Sequence, residues 1–364
     1  MVKHLLIIET TPTVNWYRIL AGMHILGEEV HVEQAQYSEI SVTAYSDMGC
    51  VCVLAPARQP LEGTPQNTER TINPDFLFVR SVTRALEGQD SRNILYAFMF
   101  SGLPSVNSLE SIYCCLERPI VYGELLKSHK KLGDRFPLIP QTLYPNFRSM
   151  IITPEYPLVA KVGHAHAGYG KIKLHDHHQF EDFRSVCALS PAYVSAEPFI
   201  DWDYDIRVQK IGNHYRAFHR RNPNWKGNVG SSIIEDAPMT PEYQLWVDEA
   251  ATYFGGLDIC AVDALHRKSD DKCFILEVND TAIGLVHKYE PEDYQHMREL
   301  IETRMTAYFS APRQQVPPQP TAGPATAVAA AQNTADVPAP PPGPAPAAAD
   351  PATAGRKKLA CSIA

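Results

Sequence analysis

The chain has no excess of positive charge, no apolar run of membrane-spanning length, and no cysteine pair at zinc-ribbon spacing. Each absence removes a class. With a net charge of −8 at neutral pH, the sequence lacks the basic face that neutralises phosphate backbones, so no nucleic acid is expected as a partner. No run reaches the ~18 apolar residues of a membrane helix, and no signal peptide precedes the first apolar segment, which reads as cytoplasmic. The eight cysteines, Cys50, Cys52, Cys114, Cys115, Cys187, Cys260, Cys273 and Cys361, stand in no metal-binding spacing. Cys187, Cys260 and Cys273 lie in apolar runs, as small core residues do. There is no Gly-x-Ser-x-Gly elbow and no cysteine with a convincing partner, so no catalytic nucleophile is expected. Walker and Rossmann glycine patterns are missing too.

Proline, by contrast, is abundant: 30 residues, many beyond 311. From 312 to 364 the chain is mostly proline, alanine, threonine and glutamine, too poor in large apolar residues to offset its chain entropy, and is expected to be disordered. Pro317-Pro318-Gln319-Pro320 and Pro341-Pro342-Gly343-Pro344 suit SH3-domain readers, with a passive spacer as the alternative. Cys361, fourth from the end behind a basic cluster, permits prenylation, although Ser362 is a poor aliphatic substitute.

The remaining length suffices for two domains. Strands are expected at 3–9, 29–35, 49–54 and 75–80, with helices at 15–27 and 92–100, a small doubly wound α/β pattern. A helix over 108–132 follows, then 136–142, which Pro137 and Pro140 restrict to an edge strand or linker. The second half reads as antiparallel: strands 193–200 and 205–211, a hairpin turn at Gly212-Asn213 into 214–220, and paired strands 259–266 and 272–278. Asp176 and Thr240 cap helices at 176–189 and from 241, and a last helix spans about 290–308. Residues 222–230 form a glycine- and asparagine-rich loop.

Two features carry chemistry. The first is Tyr156–Lys173, in which an apolar strand ends at Lys161, Gly163, Gly168 and Gly170 follow, and Lys171 opens a second strand. Glycines allow backbone N–H groups to fold over phosphates, and a lysine at each edge supplies countercharge; a plain glycine-rich hairpin is the alternative. The second is Asp263 with Glu277. For a three-residue hairpin loop centred on Asp270 the two carboxylates face each other, with Asn279 on the same face and apolar Leu276 and Val278 on the other. Opposed carboxylates repel unless a cation lies between them, and Asp, Glu and Asn offer three oxygen ligands to a hard divalent cation, Ca2+ or Mg2+. Arg118, Lys161, Lys171, Arg207, Arg220 and Lys226 are available to phosphates, Asp205 shares a face with Arg207, and Glu197 leads into Pro198-Phe199-Ile200, where backbone groups meet a purine edge. His164, His166, His175, His177 and His178 lack the further ligands of a transition-metal site.

The blocks GHAHAGYGKIK, AEPFIDWDYDIRVQKIGNHY, NWK, LWVDEAATYFGGLDICAVDALH, GLPSVNSLESIY and LKSHKKLGDRFPLIPQTLYPN resemble the central domain of the synapsins. The likeness runs from about Lys3 to Phe309. It implies a pre-ATP-grasp α/β domain at 1–103, an ATP-grasp domain at 104–311 and the tail at 312–364. It also implies a peripheral protein of synaptic vesicles in the presynaptic terminal, binding vesicle phospholipids and actin, self-associating to a dimer or tetramer, and regulating vesicle clustering and neurotransmitter release without being an enzyme. The alternative is an ATP-grasp ligase that forms an acyl phosphate on a small carboxylate. By the resemblance Arg118 and Lys161 meet ATP phosphates, Glu197, Pro198, Phe199 and Ile200 hold the adenine, Arg220 and Lys226 lie near the phosphates, and Asp263 with Glu277 holds the cation. The expected ATP set is completed by Gly168, Gly170, Lys171, Asp205 and Arg207, and the cation set by Asn279. Departures from the family pattern are arginine at 118 for lysine, aspartate at 263 for glutamate or lysine, a Glu-x-Asn at 277–279, a shorter loop between Arg220 and Trp225, and a start at Met1 that leaves no N-terminal phosphorylated segment, as expected of an invertebrate-like or divergent member.

Overall fold

A computed structural model describes residues 2–11, 13–84, 88–151, 155–165, 168–226 and 232–311. The proline-rich tail with its SH3-type motifs and Cys361, His166 of the His-x-His pair, and residues 227–230 of the glycine-asparagine loop lie outside them.

Residues 3–106 build a mainly parallel sheet buried on both faces. Its strands are β1 (Lys3–Ile8), β3 (Glu28–Ala35), β7 (Phe76–Val79) and β8 (Ser105–Val106), with β2 (His24–Ile25) antiparallel at the edge, in the order β2-β3-β1-β7-β8. Burial on both sides explains why β1 reads as an unbroken apolar run rather than alternating. Leu5 and Ile7 pack with Trp16 and Phe78 against Met297, Ile301 and Met305 of the last helix, α7 (Glu290–Ser310). Leu6 and Ile8 face Leu95 and Phe98 of α2 (Arg92–Phe100), together with an antiparallel sheet of β4 (Ile40–Tyr45), β5 (Gly49–Leu54) and β6 (Arg70–Ile72).

The helix expected over 15–27 is a single turn, α1 (Trp16–Ile19), capped by Asn15. The chain then reverses through Leu26 and Gly27, both at positive φ, to pair β2 with β3. A two-residue turn with φ > 0 at both positions matches the twist of a hairpin, and Leu26 occupies a position where Asn or Gly is usual, which hid it.

The helix expected over 108–132 is two, α3 (Leu109–Cys115) and α4 (Arg118–Leu132), with Pro119 in the first turn of the second. Proline has no N–H for an interior helical bond and its ring clashes with the carbonyl four residues back, so a continuous helix through 119 is excluded. Residues 136–141 serve as the linker: Ile139 N–H and Pro137 C=O exchange bonds with Ile275 at 3.0 and 2.7 Å. The chain then enters β9 (Thr142–Tyr144).

Two antiparallel sheets follow. The smaller has the order β11-β10-β12-β9, with β10 (Leu158–Val162), β11 (Lys171–Leu174) and β12 (Val194–Pro198). Its outer face is covered by α5 (His177–Cys187), whose N-cap Asp176 accepts Gln179 N–H at 2.9 Å and whose Phe180 is fully buried. The larger has the order β15-β14-β13-β16-β17, with β13 (Tyr204–Ile211), β14 (His214–Arg221), β15 (Ile233–Ala237), β16 (Ile259–Arg267) and β17 (Lys272–Asn279). Val208, Val262, Ile275 and Val278 pack beneath α4 and α6 (Pro241–Ala250), with Trp246 fully buried at the centre. Gly212-Asn213 joins β13 to β14 as expected, Gly212 being at positive φ.

Candidate functional site

The site lies between the uncovered faces of the two antiparallel sheets. On β10, Leu158 and Ala160 face α5, so Val159 and Lys161 face the opposite way, into a cavity of about 100 Å³. From the smaller sheet and its loop the cavity receives Gly168, Lys171, Glu197, Pro198, Phe199 and Ile200. The larger sheet contributes Asp205, Arg220, Asp263 and Glu277, and Lys226 closes one side. Twelve expected residues thus line one space. Gly170 and Arg207 stand outside its lining, while Arg118 and Asn279 line a second cavity of about 140 Å³ that shares Leu276 and Glu277 with the first.

Asp263 does face Glu277, but through a different register from that expected. The hairpin closes on Arg267 and Lys272 with four residues between them, and the pairing runs in that register up to Ala264 with Ile275. Leu276 is then inserted as a bulge, which shifts the register by one and sets Asp263 opposite Glu277. Bulges re-aim side chains next to functional sites. Leu276 is therefore not on the far face with Val278. It lines the cavity beside Glu277.

Lys161, Arg207, Arg220 and Arg118 are each matched to a carboxylate. Lys161 Nζ is 2.6 Å from Glu197 Oε1, both side chains almost fully buried, and Glu197 Oε2 accepts Gln141 Nε2 at 2.9 Å. Arg207 forks onto Asp263 at 2.7 and 2.8 Å, and Asn279 Nδ2 donates to the same carboxylate at 2.9 Å. Arg220 forks onto Asp205 at 3.0 and 2.7 Å. Arg118 meets Glu277 at 2.5 Å and donates to the loop carbonyls of His164 (2.9 Å) and Ala165 (2.5 Å). That guanidinium ties the glycine loop to β17.

The titration behaviour follows from this pairing. Burial lowers the Lys161 ammonium below its ordinary value despite Glu197. Burial alone would raise the Glu277 carboxyl, but Arg118, Lys171 and Lys161 outweigh it and hold it well below the usual carboxylate range. Asp205 is pushed up by burial even opposite Arg220. Asp280, one residue past β17, is raised to about 6 by burial.

Asp263, Glu277 and Asn279 offer oxygen donors alone, which suits a hard divalent cation and no soft metal. Among the described residues no group of three or more His, Cys, Asp or Glu gathers for a metal, and no helix is long and apolar enough to cross a membrane. Several cavity residues had no sequence marker: Ile139, Val159, Leu265 and Leu276 are ordinary apolar residues until the strands are paired. Trp225 and Trp202 had one. A tryptophan in a polar loop needs something to cover, and Trp225 packs edge-on to Phe199 with ring centres 6.5 Å apart, while Lys173 lies 3.3 Å over the Phe199 ring.

Two family models match this chain: the synapsin pre-ATP-grasp domain over residues 1–105 and the synapsin ATP-binding domain over residues 107–307. The chain belongs to the synapsin family. Synapsin of Drosophila melanogaster is 33% identical over 299 residues, covering 80% of this chain and 28% of that protein, so the chain spans little more than a quarter of that synapsin's length. Solved structures extend the likeness to fold alone. The ATP-grasp ligase PsnB, complexed with a phosphomimetic variant of its minimal precursor, Mg and ADP, has a TM-score of 0.52 at 15% identity over 84% of this chain and 99% of that one. VanG D-Ala:D-Ser ligase from Enterococcus faecalis has a TM-score of 0.51 at 13% identity over 82% and 100%. This synapsin-family chain therefore has an ATP-grasp fold with a pre-ATP-grasp domain before it, and the sequence-based reading of the fold holds.

Proposed function

We propose that the chain is a regulatory ATP-binding protein of the synaptic vesicle surface, in which 1–103 and 104–311 form the two folded domains and 312–364 the tail. ATP lies between the two antiparallel sheets, its phosphates on Lys161, Lys171, Arg118, Arg207, Arg220 and Lys226 beneath the Gly168–Gly170 turn, and its base against Glu197–Ile200. Asp263 and Glu277, with Asn279, would hold a divalent cation, Mg2+ or Ca2+, which neutralises phosphate charge when bound. ATP occupancy sets how the protein meets vesicle phospholipids, actin, further copies of itself and SH3 domains at the tail. The observation that carries the reading is the joining of four basic side chains, Lys161, Lys171, Arg220 and Lys226, with the opposed carboxylates Asp263 and Glu277 in one cavity between the sheets.

Calorimetric titration with ATP, with and without Mg2+ or Ca2+, tests it. Binding is expected to strengthen at least tenfold with cation, and Asp263→Lys to abolish that dependence. An unchanged cation response in the variant would remove the metal assignment.

A second reading, a ligase that phosphorylates a small carboxylate, is favoured by one observation: the adjoining 140 Å³ cavity shares Glu277 with the nucleotide cavity and is placed to hold another reactant. ADP release on incubation with ATP and small carboxylates decides between them. Regulatory binding predicts no substrate-dependent turnover.

A further inference from the structure

The larger cavity has a chemistry of its own. It lies at the carboxyl end of β7, beside the point where the strand order β3-β1-β7 reverses, which is where open α/β sheets receive ligands. Its floor is apolar, formed by Ile112, Leu116, Val121 and Leu125. Its charges are unevenly matched. Arg84 is paired with Glu117 and Arg118 with Glu277, so neither guanidinium is unmatched. Asp280 makes no salt bridge among the described residues; its carboxylate meets only backbone N–H groups, its own and that of Ala282 at 3.2 Å. Arg80, the buried cation whose field it feels, spends its Nη groups on the carbonyls of Thr281 and Ile283. The Ser81 hydroxyl is buried in the same lining with no partner.

A carboxylate without a salt bridge and an unused hydroxyl above an apolar floor match a cation with an apolar body. A carboxylate ligand would have to face Asp280 and compete with Glu117 or Glu277 for arginine. The volume, about 140 Å³, is close to that of a cavity that holds benzene, which limits the ligand to about six to eight non-hydrogen atoms. We propose that this cavity binds a small primary amine, its ammonium on Asp280 and Ser81 and its apolar body against Ile112, Leu116, Val121 and Leu125. The proposal does not depend on ATP.

The test is ligand-observed NMR and calorimetry on the full chain without nucleotide, using benzylamine, benzyl alcohol and benzoate as probes of one shape. Benzylamine is expected to bind at least tenfold tighter than the other two. Asp280→Asn, which keeps an acceptor for Ala282, should erase that preference, and Ser81→Ala should weaken the amine about threefold to fivefold, a loss of one hydrogen bond. Leu116→Trp, filling the floor, should abolish amine binding and leave ATP affinity within twofold. Equal binding of the three probes, preference for benzoate, no binding of any at millimolar concentration, or amine binding indifferent to Asp280→Asn would each overturn the proposal. An ATP titration of the same samples reports on the nucleotide cavity separately.

Discussion

Replacing Lys161 by methionine separates two roles that the site combines. Lys161 and Glu197 are 3% and 7% exposed, with Nζ and Oε1 2.6 Å apart. At an effective dielectric of ~20 their gross attraction is about 6 kcal/mol, most of it offsetting the loss of two hydration shells. Lys161→Met keeps the length of the side chain and removes the charge, leaving Glu197 buried with Gln141 as its remaining hydrogen-bond partner, and should cost about 3–5 kcal/mol. Adding Glu197→Gln removes the stranded charge and retains an amide that can pair with Gln141. The double variant should return to within ~1 kcal/mol of the parent, since a buried ion pair is often worth no more than neutral groups of its own size. ATP binding should not return. Loss of one charge-assisted bond to phosphate costs about 1.5–3 kcal/mol, a ~10- to 150-fold weakening in both variants. Urea denaturation of the full chain gives the stabilities and calorimetry the affinities. A single variant less than ~1 kcal/mol below the parent would contradict the burial argument, and a double variant that binds ATP normally would make Lys161 structural only.

Gly170→Ala should destabilise by about 1–2 kcal/mol, because φ is +67° and an added Cβ would lie 3.3 Å from the Val162 carbonyl oxygen; an unchanged urea midpoint would show that the loop does not hold this backbone. His266 supplies a pH test. Its Nδ1 and Nε2 lie 2.7 and 3.0 Å from carboxylate oxygens of Asp203 and Asp271, and although burial opposes the charged form, those two acceptors raise its pKa above 6.5. The stability it confers is complete below about 6.5 and fades as pH rises through the raised folded value. The stability gap between the parent and His266→Gln should therefore narrow from pH 5.5 to 8.5. A gap constant over that range would refute the assignment.

What could be read from sequence was local chemistry. The Lys161 and Lys171 edges of the glycine loop, the Asp176 cap and the Gly212-Asn213 turn each follow from one residue type meeting one backbone requirement. Sequence and structure differ where a requirement is met by an unusual residue or set by the partner strand. Leu26 takes a positive φ usually given to asparagine or glycine, so a hairpin read as helix. Leu276 has nothing in its own sequence to mark a bulge, because a bulge exists only relative to β16. A symmetric three-residue hairpin would give the Asp263–Glu277 pairing, whereas the fold produces it by a longer loop compensated by an inserted residue. Pro119 was legible and outweighed by the length of the apolar pattern around it. The cavity walls at Val159, Leu265 and Leu276 needed the sheets themselves.

The pairing of Arg118 with Glu277 and of Arg207 with Asp263 bears on how ATP and a cation would enter. Triphosphate alone, drawing Arg118 and Arg207 away, would leave Glu277 and Asp263 unpaired beside phosphate oxygens, an arrangement that burial makes costly. A divalent cation alone on those carboxylates would instead leave two buried guanidiniums unpaired. Both together exchange the partners of these two pairs: Arg118 and Arg207 to phosphates, Glu277 and Asp263 to the cation, with neither carboxylate stranded. Nucleotide and cation should therefore favour each other's binding by the same factor, as linkage requires. Arg118 extends that exchange outward, because the guanidinium that leaves Glu277 also holds the carbonyls of His164 and Ala165. The glycine loop would then change its anchorage when ATP and cation arrive together, and a loop so coupled reports occupancy whether or not any bond is made.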